Sequence, residues 1–319
     1  MKHRKLYVIG NGFDLWHGIP SSLARFKQYV QATDRDVYRE VEDYLPTQED
    51  WSDLERALAD MDVVALIDNL EHFMGSYGDE DWSDAGHHDF QDEVQNTVKR
   101  LSTGLRLSFS EWIRKLPIPT PATAQKRLAT LDTDAMFFTF NYTNTLGSLY
   151  GVPPERVLFI HGCADLKDDD LVLGHAWNPQ TRKSLNDRPD IEDIDTRLME
   201  ANDTIDDYFS ATFKRSADLI AQHRGFFDAL TDIEQVIVLG HSLSDVDAAY
   251  FMALLEQRSV AEAAWLIACR SPEEWLEKQS LLANLGVNLN KTLPVAWEND
   301  WPLISSNWPA RRRVLADVG

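Results

Sequence analysis

The chain has 319 residues, and its 31 Lys and Arg against 52 Asp and Glu give a formal net charge of −21. Hydrophobic residues at 44% and charged residues at 26% are the proportions of a folded globular chain and exclude wholesale disorder. So acidic a balance argues against a binder of nucleic-acid phosphates or of an anionic membrane surface, and two cysteines (Cys163 and Cys269) exclude a disulfide scaffold or an all-thiolate zinc cage.

The start, Met1-Lys2-His3-Arg4-Lys5, is basic, but only Leu6 to Ile9 follows before Gly10. A secretory core needs about 7–15 apolar residues and a membrane span about 20, so neither is expected and a cytoplasmic location is. Leu6 to Ile9 reads as a buried strand, as do Ala135 to Phe140, Arg156 to Ile160, Gln235 to Leu239 and Ala264 to Cys269, with Pro294 to Trp297 a weaker sixth. Runs that are apolar throughout, rather than alternating, belong to a sheet covered on both faces. The expectation is therefore an α/β fold: a Rossmann-like parallel sheet of about six strands with large helical insertions, forming one domain over residues 1–319.

The first insertion is expected over residues 21–130. Ser21 or Ser22 can cap a helix carrying Leu23, Phe26 and Val30. Phe90, Val94, Val98, Leu101, Leu105, Phe109, Trp112 and Leu116 then recur at steps of three and four, one long helical stripe. A second helical insertion is expected over residues 185–230, where nine carboxylates from Asp187 to Asp207 read as a solvated face rather than a calcium loop. The last units run quickly: a Ser244-capped helix, a strand, and a helix opening at Ser271-Pro272-Glu273-Glu274.

Four turns at strand ends carry the candidate chemistry. The first is Gly10-Asn11-Gly12-Phe13-Asp14-Leu15-Trp16-His17-Gly18-Ile19-Pro20. Glycines between a strand and a helix let the backbone approach a phosphate; the alternative is a tight turn whose glycines serve packing alone. The dehydrogenase fingerprint wants a third glycine where Leu15 stands, so hydride transfer is disfavoured. The second is Phe140-Asn141-Tyr142-Thr143-Asn144-Thr145, where Asn141 can aim an amide into the crevice beyond the sheet. The third is Ile160-His161-Gly162, with His161 a candidate general base or else a satisfied core histidine. The fourth is Gly240-His241-Ser242-Leu243-Ser244-Asp245-Val246-Asp247, which looks like a nucleophile elbow but has Ser244 for the second glycine and no histidine after Ser242. Ser242 and Asp247 are instead placed to hold ribose hydroxyls or to cap the next helix. His88 with Asp92, two more residues of metal-ligand type at helical spacing, reads as an exposed helix face, and Trp51-Ser52-Asp53-Leu54-Glu55 as a helix anchor; no metal site is expected.

Together with Leu149-Tyr150 and the run on to Tyr250, these islands resemble the AbiH family of bacteriophage abortive-infection proteins. That family in turn resembles the sirtuin-like superfamily of NAD-consuming folds, here without a zinc ribbon, because two cysteines cannot build one. The opening loop is similar in spacing to the sirtuin loop, though Asn11 and Asp14 stand where that loop has small residues. The resemblance implies that Asn141 is the strand-end catalytic asparagine, His161 the histidine of its His-Gly pair, and Gly240-His241-Ser242 its Gly-x-Ser nucleotide contact.

What it implies for function is an abortive-infection effector that hydrolyses the nicotinamide–ribose bond of NAD. Asn141 would position water and His161 accept a proton. Gly10, Asn11, Gly12, Phe13, Asp14, Gly18, Pro20, Gly240, Ser242 and Asp247 would hold the dinucleotide, with Phe13 and Trp16 either stacking on it or packing in the core. The partners expected are the nucleotide, a phage-derived trigger and a second copy of the chain. Two rivals differ in kind. One is a non-catalytic module sensing NAD or ADP-ribose. The other is an interaction scaffold whose stripe from Phe90 to Leu116 would be exposed in the isolated chain.

Overall fold

A computed structural model of the chain describes residues 5–74, 89–166 and 171–296. It forms two compact units, one of Met1–Ser21, Ile113–Leu171 and Arg215–Gly319, the other of Ser22–Trp112 and Val172–Lys214. The first holds a six-stranded sheet: β1 Lys5–Ile9, β2 Met136–Thr139, β3 Val157–Phe159, β4 Gln235–Leu239, β5 Ala264–Cys269 and β6 Thr292–Ala296. Its order is β3-β2-β1-β4-β5-β6, and every pairing is parallel. Trp297, expected in the last strand, and His87 and His88 lie outside the described residues.

Apolar runs become strands here because both faces are covered. Leu6, Val8, Phe138, Val236, Val238, Trp265 and Ile267 join Tyr250, Phe251 and Leu254 of the helix Ala248–Leu255 in one buried cluster. Tyr7, Ile9, Phe137, Ile237 and Leu239 join Leu146, Leu149 and Tyr150 of the helix Thr145–Tyr150 in another. Burying both faces of the alternation removes polar positions from the strand, which is why the runs read as continuous. The expected helix start at Ser271 is present: the helix Pro272–Asn284 has Pro272 in its first turn and the Ser271 side chain accepting the Glu274 N–H.

The helical unit contains the expected helix after Ser22, Leu23–Thr33, and the stripe, but the stripe is not one helix. It runs as Asp89–Lys99, a π-helical turn at Arg100–Gly104, and Leu105–Arg114. The π turn absorbs one residue of drift and keeps Leu101 and Leu105 on the buried side. Phe90, Val94, Val98, Leu101, Leu105, Phe109 and Trp112 are all buried, so the surface that a scaffold role needed is not there. Nor does helix continue to 130. Residues 115–135 contain no helix or strand; at their start Pro117, Pro119 and Pro121 remove amide donors and clash with a continuing helix.

In the 185–230 region the helices are Thr196–Ala211, Ser216–Gln222 and Arg224–Asp228. Several of the carboxylates there tie chain to helix: Asp195 caps Thr196–Ala211, and Asp206 accepts from the Ser184 hydroxyl and the Leu185 N–H. Trp51 is fully buried and donates its indole N–H to Glu42, while Glu55 pairs with the buried Lys214 at 2.9 Å. Among the described residues no helix is long and apolar enough to cross a membrane.

Candidate functional site

The register of the sheet brings the candidate residues together. Ile9 pairs with Thr139 on one side and Leu239 on the other, and Thr139 pairs with Phe159. Two residues beyond this row stand His161, Asn141, Asn11 and His241, each just past the end of one of four adjacent strands, which in such a sheet lie about 4.8 Å apart. Sequence-distant turns thus meet at the carboxyl edge of one sheet, where open α/β folds bind ligands.

The turn after β1 is occupied by structure. It is no open loop: helix begins at Asn11 and runs to Trp16. Gly18, at φ +82°, ends it in a Schellman turn, its N–H bonding to the Leu15 carbonyl and that of Ile19 to the Asp14 carbonyl. The N–H groups of Gly10 and Gly12, expected to face a pyrophosphate, donate instead to the carbonyls of Leu239 and Gly240. A Cβ on Gly12 would lie 2.7 Å from the Gly240 Cα, and one on Gly240, itself at φ +70°, would collide with the Phe13 nitrogen. These glycines are explained by backbone packing against backbone across the β1–β4 junction. Asn11 binds Ser21 through both ends of its amide, Pro20 is half-buried beside it, and Phe13 is wholly buried against His17 and Tyr150. Phe13 therefore offers no face for stacking.

Asp14 is buried below this turn. Its carboxylate accepts the hydroxyls of Thr143 and, at 2.8 Å, Thr145, so it locks the turn after β2 to the helix after β1. Burial pushes its carboxyl up to about 6, against the opposing pull of those two hydroxyls and the nearby Asn141 amide. His17 accepts a hydrogen bond from the Tyr150 hydroxyl at Nε2 and donates Nδ1–H to the Phe13 carbonyl, and burial holds it down to about 4.

Asn141 is 6% exposed, and neither polar atom of its amide completes a hydrogen bond within the protein. An unsatisfied buried amide costs roughly 1–3 kcal/mol and calls for an explanation. The backbone of this turn is fixed on both sides, by Asn141 N–H to the Thr139 hydroxyl and by Ala164 N–H to the Tyr142 carbonyl. The second bond joins the turns after β2 and β3.

His161 is 3% exposed and lies among aromatic rings. Tyr142 stacks on it at 5.9 Å, and Phe140 and Tyr250 meet its edges. Its Nε2 faces Asp247 Oδ1 at 3.9 Å. The other oxygen of Asp247 lies 3.3 Å from His241 Nε2. Asp247 ends the short turn Asp245–Asp247, whose start Ser244 caps as expected, and Ser242 is exposed. Leu243, at φ +63°, is in a conformation rarely adopted outside glycine, which turns its N–H back onto His241 Nδ1 at 2.8 Å. His241 and the Asp14–Thr143–Thr145 lock were missed in the sequence; a polar residue two places beyond each of four aligned strands is the signal that would have found the histidine.

These features define an α/β protein of Rossmann-like topology with a buried polar site at the carboxyl ends of its central strands. The chain belongs to the bacteriophage abortive infection AbiH family, whose model matches residues 6–269. Abortive-infection phage defence is the role that membership gives it. Comparison with curated proteins finds no match.

Proposed function

We propose that the chain cleaves the N-glycosidic bond of a nucleotide as an abortive-infection effector, with NAD as the substrate. The observation that carries this reading is the Asn141 amide: buried, close to the Asp14 carboxylate but completing no hydrogen bond within the protein, and at the same sheet edge as the His161 imidazole. Departure of nicotinamide builds positive charge on the ribose ring, as in glycoside hydrolysis. Water supplies hydroxide to the ribose carbon and one proton is released, so the site must position a water and accept that proton. Asn141 does the first through a buried amide that completes no hydrogen bond within the protein, and His161 the second. Phosphate contacts fall to groups other than the Gly10 and Gly12 amides, which the fold uses.

The test is to incubate the purified chain with NAD and follow nicotinamide and ADP-ribose by chromatography, scoring toxicity on expression in parallel. Wild type is expected to release both products. Asn141→Ala and His161→Ala are each expected to lose roughly 10²–10⁴-fold with unchanged circular dichroism. Full turnover in either variant removes that residue from the mechanism. Neither product in vitro and no toxicity in cells overturns the reading.

A further inference from the structure

Asp247 stands between two imidazoles, and their surroundings differ. His241 Nδ1 accepts the Leu243 N–H at 2.8 Å. A nitrogen that accepts cannot carry a proton, so the proton of His241 sits on Nε2, 3.3 Å from Asp247 Oδ2. His241 is thereby a donor to the carboxylate rather than a metal ligand, because its Nε2 lone pair is taken. The remaining oxygen, Oδ1, faces Nε2 of His161 at 3.9 Å. The groups able to titrate that face this pair are His241 from the turn after β4, Tyr250 from the helix Ala248–Leu255, and Tyr142 from the turn after β2.

We infer that Asp247 and His241 are positioning residues for His161, not ribose contacts. His241 holds the carboxylate in place, and the carboxylate, at ion-pair rather than hydrogen-bond distance from His161 Nε2, favours the proton of that ring on Nε2 and stabilises its charged form. When the ring takes up a proton, the imidazolium is opposed by a fixed negative charge, the role a carboxylate plays beside the base of hydrolase triads without taking its proton. This assignment rests on the reading of His161 as the general base, but its geometry is testable without turnover. The left-handed Leu243 supports it. A backbone held in that conformation to aim one N–H at one imidazole makes sense if that ring must keep one tautomer.

The experiment is ring-¹⁵N histidine NMR on the full chain, assigned with His161→Gln and His241→Gln. The expected spectrum at pH 7.5 has His241 as the Nε2–H tautomer. Asp247→Asn is expected to move the titration midpoint of His161 to lower pH, and Asp247→Glu to restore it in part. His241 protonated on Nδ1, or a His161 midpoint indifferent to Asp247→Asn in a variant that keeps the wild-type spectrum elsewhere, overturns the inference. With NAD, Asp247→Asn is expected to lower kcat by roughly 10-fold to 100-fold, less than His161→Ala does, and to leave KM unchanged. A raised KM with unchanged kcat would assign Asp247 to the ribose and overturn the proposal. Absence of turnover in wild type would sink the hydrolase reading alone, since the tautomer and the titration are read independently.

Discussion

Replacing Asp14 by asparagine should stabilise the chain at neutral pH and do nothing of the kind in acid. The carboxyl is buried, and burial pushes it from its ordinary 3.8 to about 6. In the unfolded chain the same group ionises near 4. Between those values the folded state holds a proton that the unfolded state has lost, so stability falls as pH rises through the window. At about 1.4 kcal/mol for each pH unit, roughly two units correspond to about 3 kcal/mol lost by pH 7. The asparagine side chain has the same shape and no charge. Its carbonyl can accept one threonine hydroxyl while its NH₂ donates to the other, because Thr143 and Thr145 can each rotate their hydroxyl. An imperfect bond there would return about 1 kcal/mol.

The expected gain is thus about 2–3 kcal/mol at pH 7.5, fading to nothing or to a small loss at pH 4.5. Urea unfolding of both chains at the two pH values, followed by tryptophan fluorescence, measures it. A variant equally less stable at both pH values would refute the reasoning. It would mean that the two hydroxyls compensate the charge in full and that burial does not dominate.

His17 has the opposite sign. Burial holds it near about 4 against its ordinary 6.5, so its contribution is complete above pH 6.5 and is lost as pH falls toward 4; His17→Gln should flatten that acid-side loss of about 3 kcal/mol in the same urea experiment. Gly240→Ala should prevent folding or cost well over ~3 kcal/mol, since its Cβ would collide with the Phe13 nitrogen, whereas Gly18→Ala, strained in φ but facing open space, should cost about 1 kcal/mol; thermal melts separate the two. Phe90→Ala should destabilise the helical unit by about 3–5 kcal/mol, because the stripe is core; a neutral result in denaturation would return the stripe to the surface.

The strands were legible because a parallel sheet leaves its own mark. Gln235 to Leu239 and Ala264 to Cys269 are the observed strands residue for residue, and the others differ by one or two positions at their ends. The glycine turn was not legible in the same way. A glycine needed so that one backbone can touch another looks, in sequence, like a glycine needed so that a backbone can touch a phosphate. The partner that decides between them, Gly240, lies far along the chain and meets Gly12 only after the sheet has formed. The π turn at Arg100–Gly104 is hidden for a related reason: buried positions at steps of three and four are the same for a straight helix and for one with a single extra residue wound in.

The chemistry of the site follows from which turn has used up its polar groups. After β1, Asn11 is bound to Ser21, Asp14 to Thr143 and Thr145, and the amides of Gly10 and Gly12 to β4 and its loop. After β2, by contrast, the Asn141 amide completes no hydrogen bond, and after β3 and β4 two imidazoles lie 3.9 and 3.3 Å from one carboxylate. The turn that looked most like a ligand cradle is the one that holds the sheet edge together, and the candidate reactive groups lie after β2, β3 and β4. On the proposed reading, recognition at such an edge comes from an amide and a general base acting near a sugar, more than from backbone donors on a phosphate. That predicts tolerance in the phosphate end of the substrate and strictness at the glycosidic bond: nicotinamide mononucleotide should be cleaved at a rate within about tenfold of NAD, and a loss far beyond that on removing the adenylate would put the binding energy back in the β1 turn.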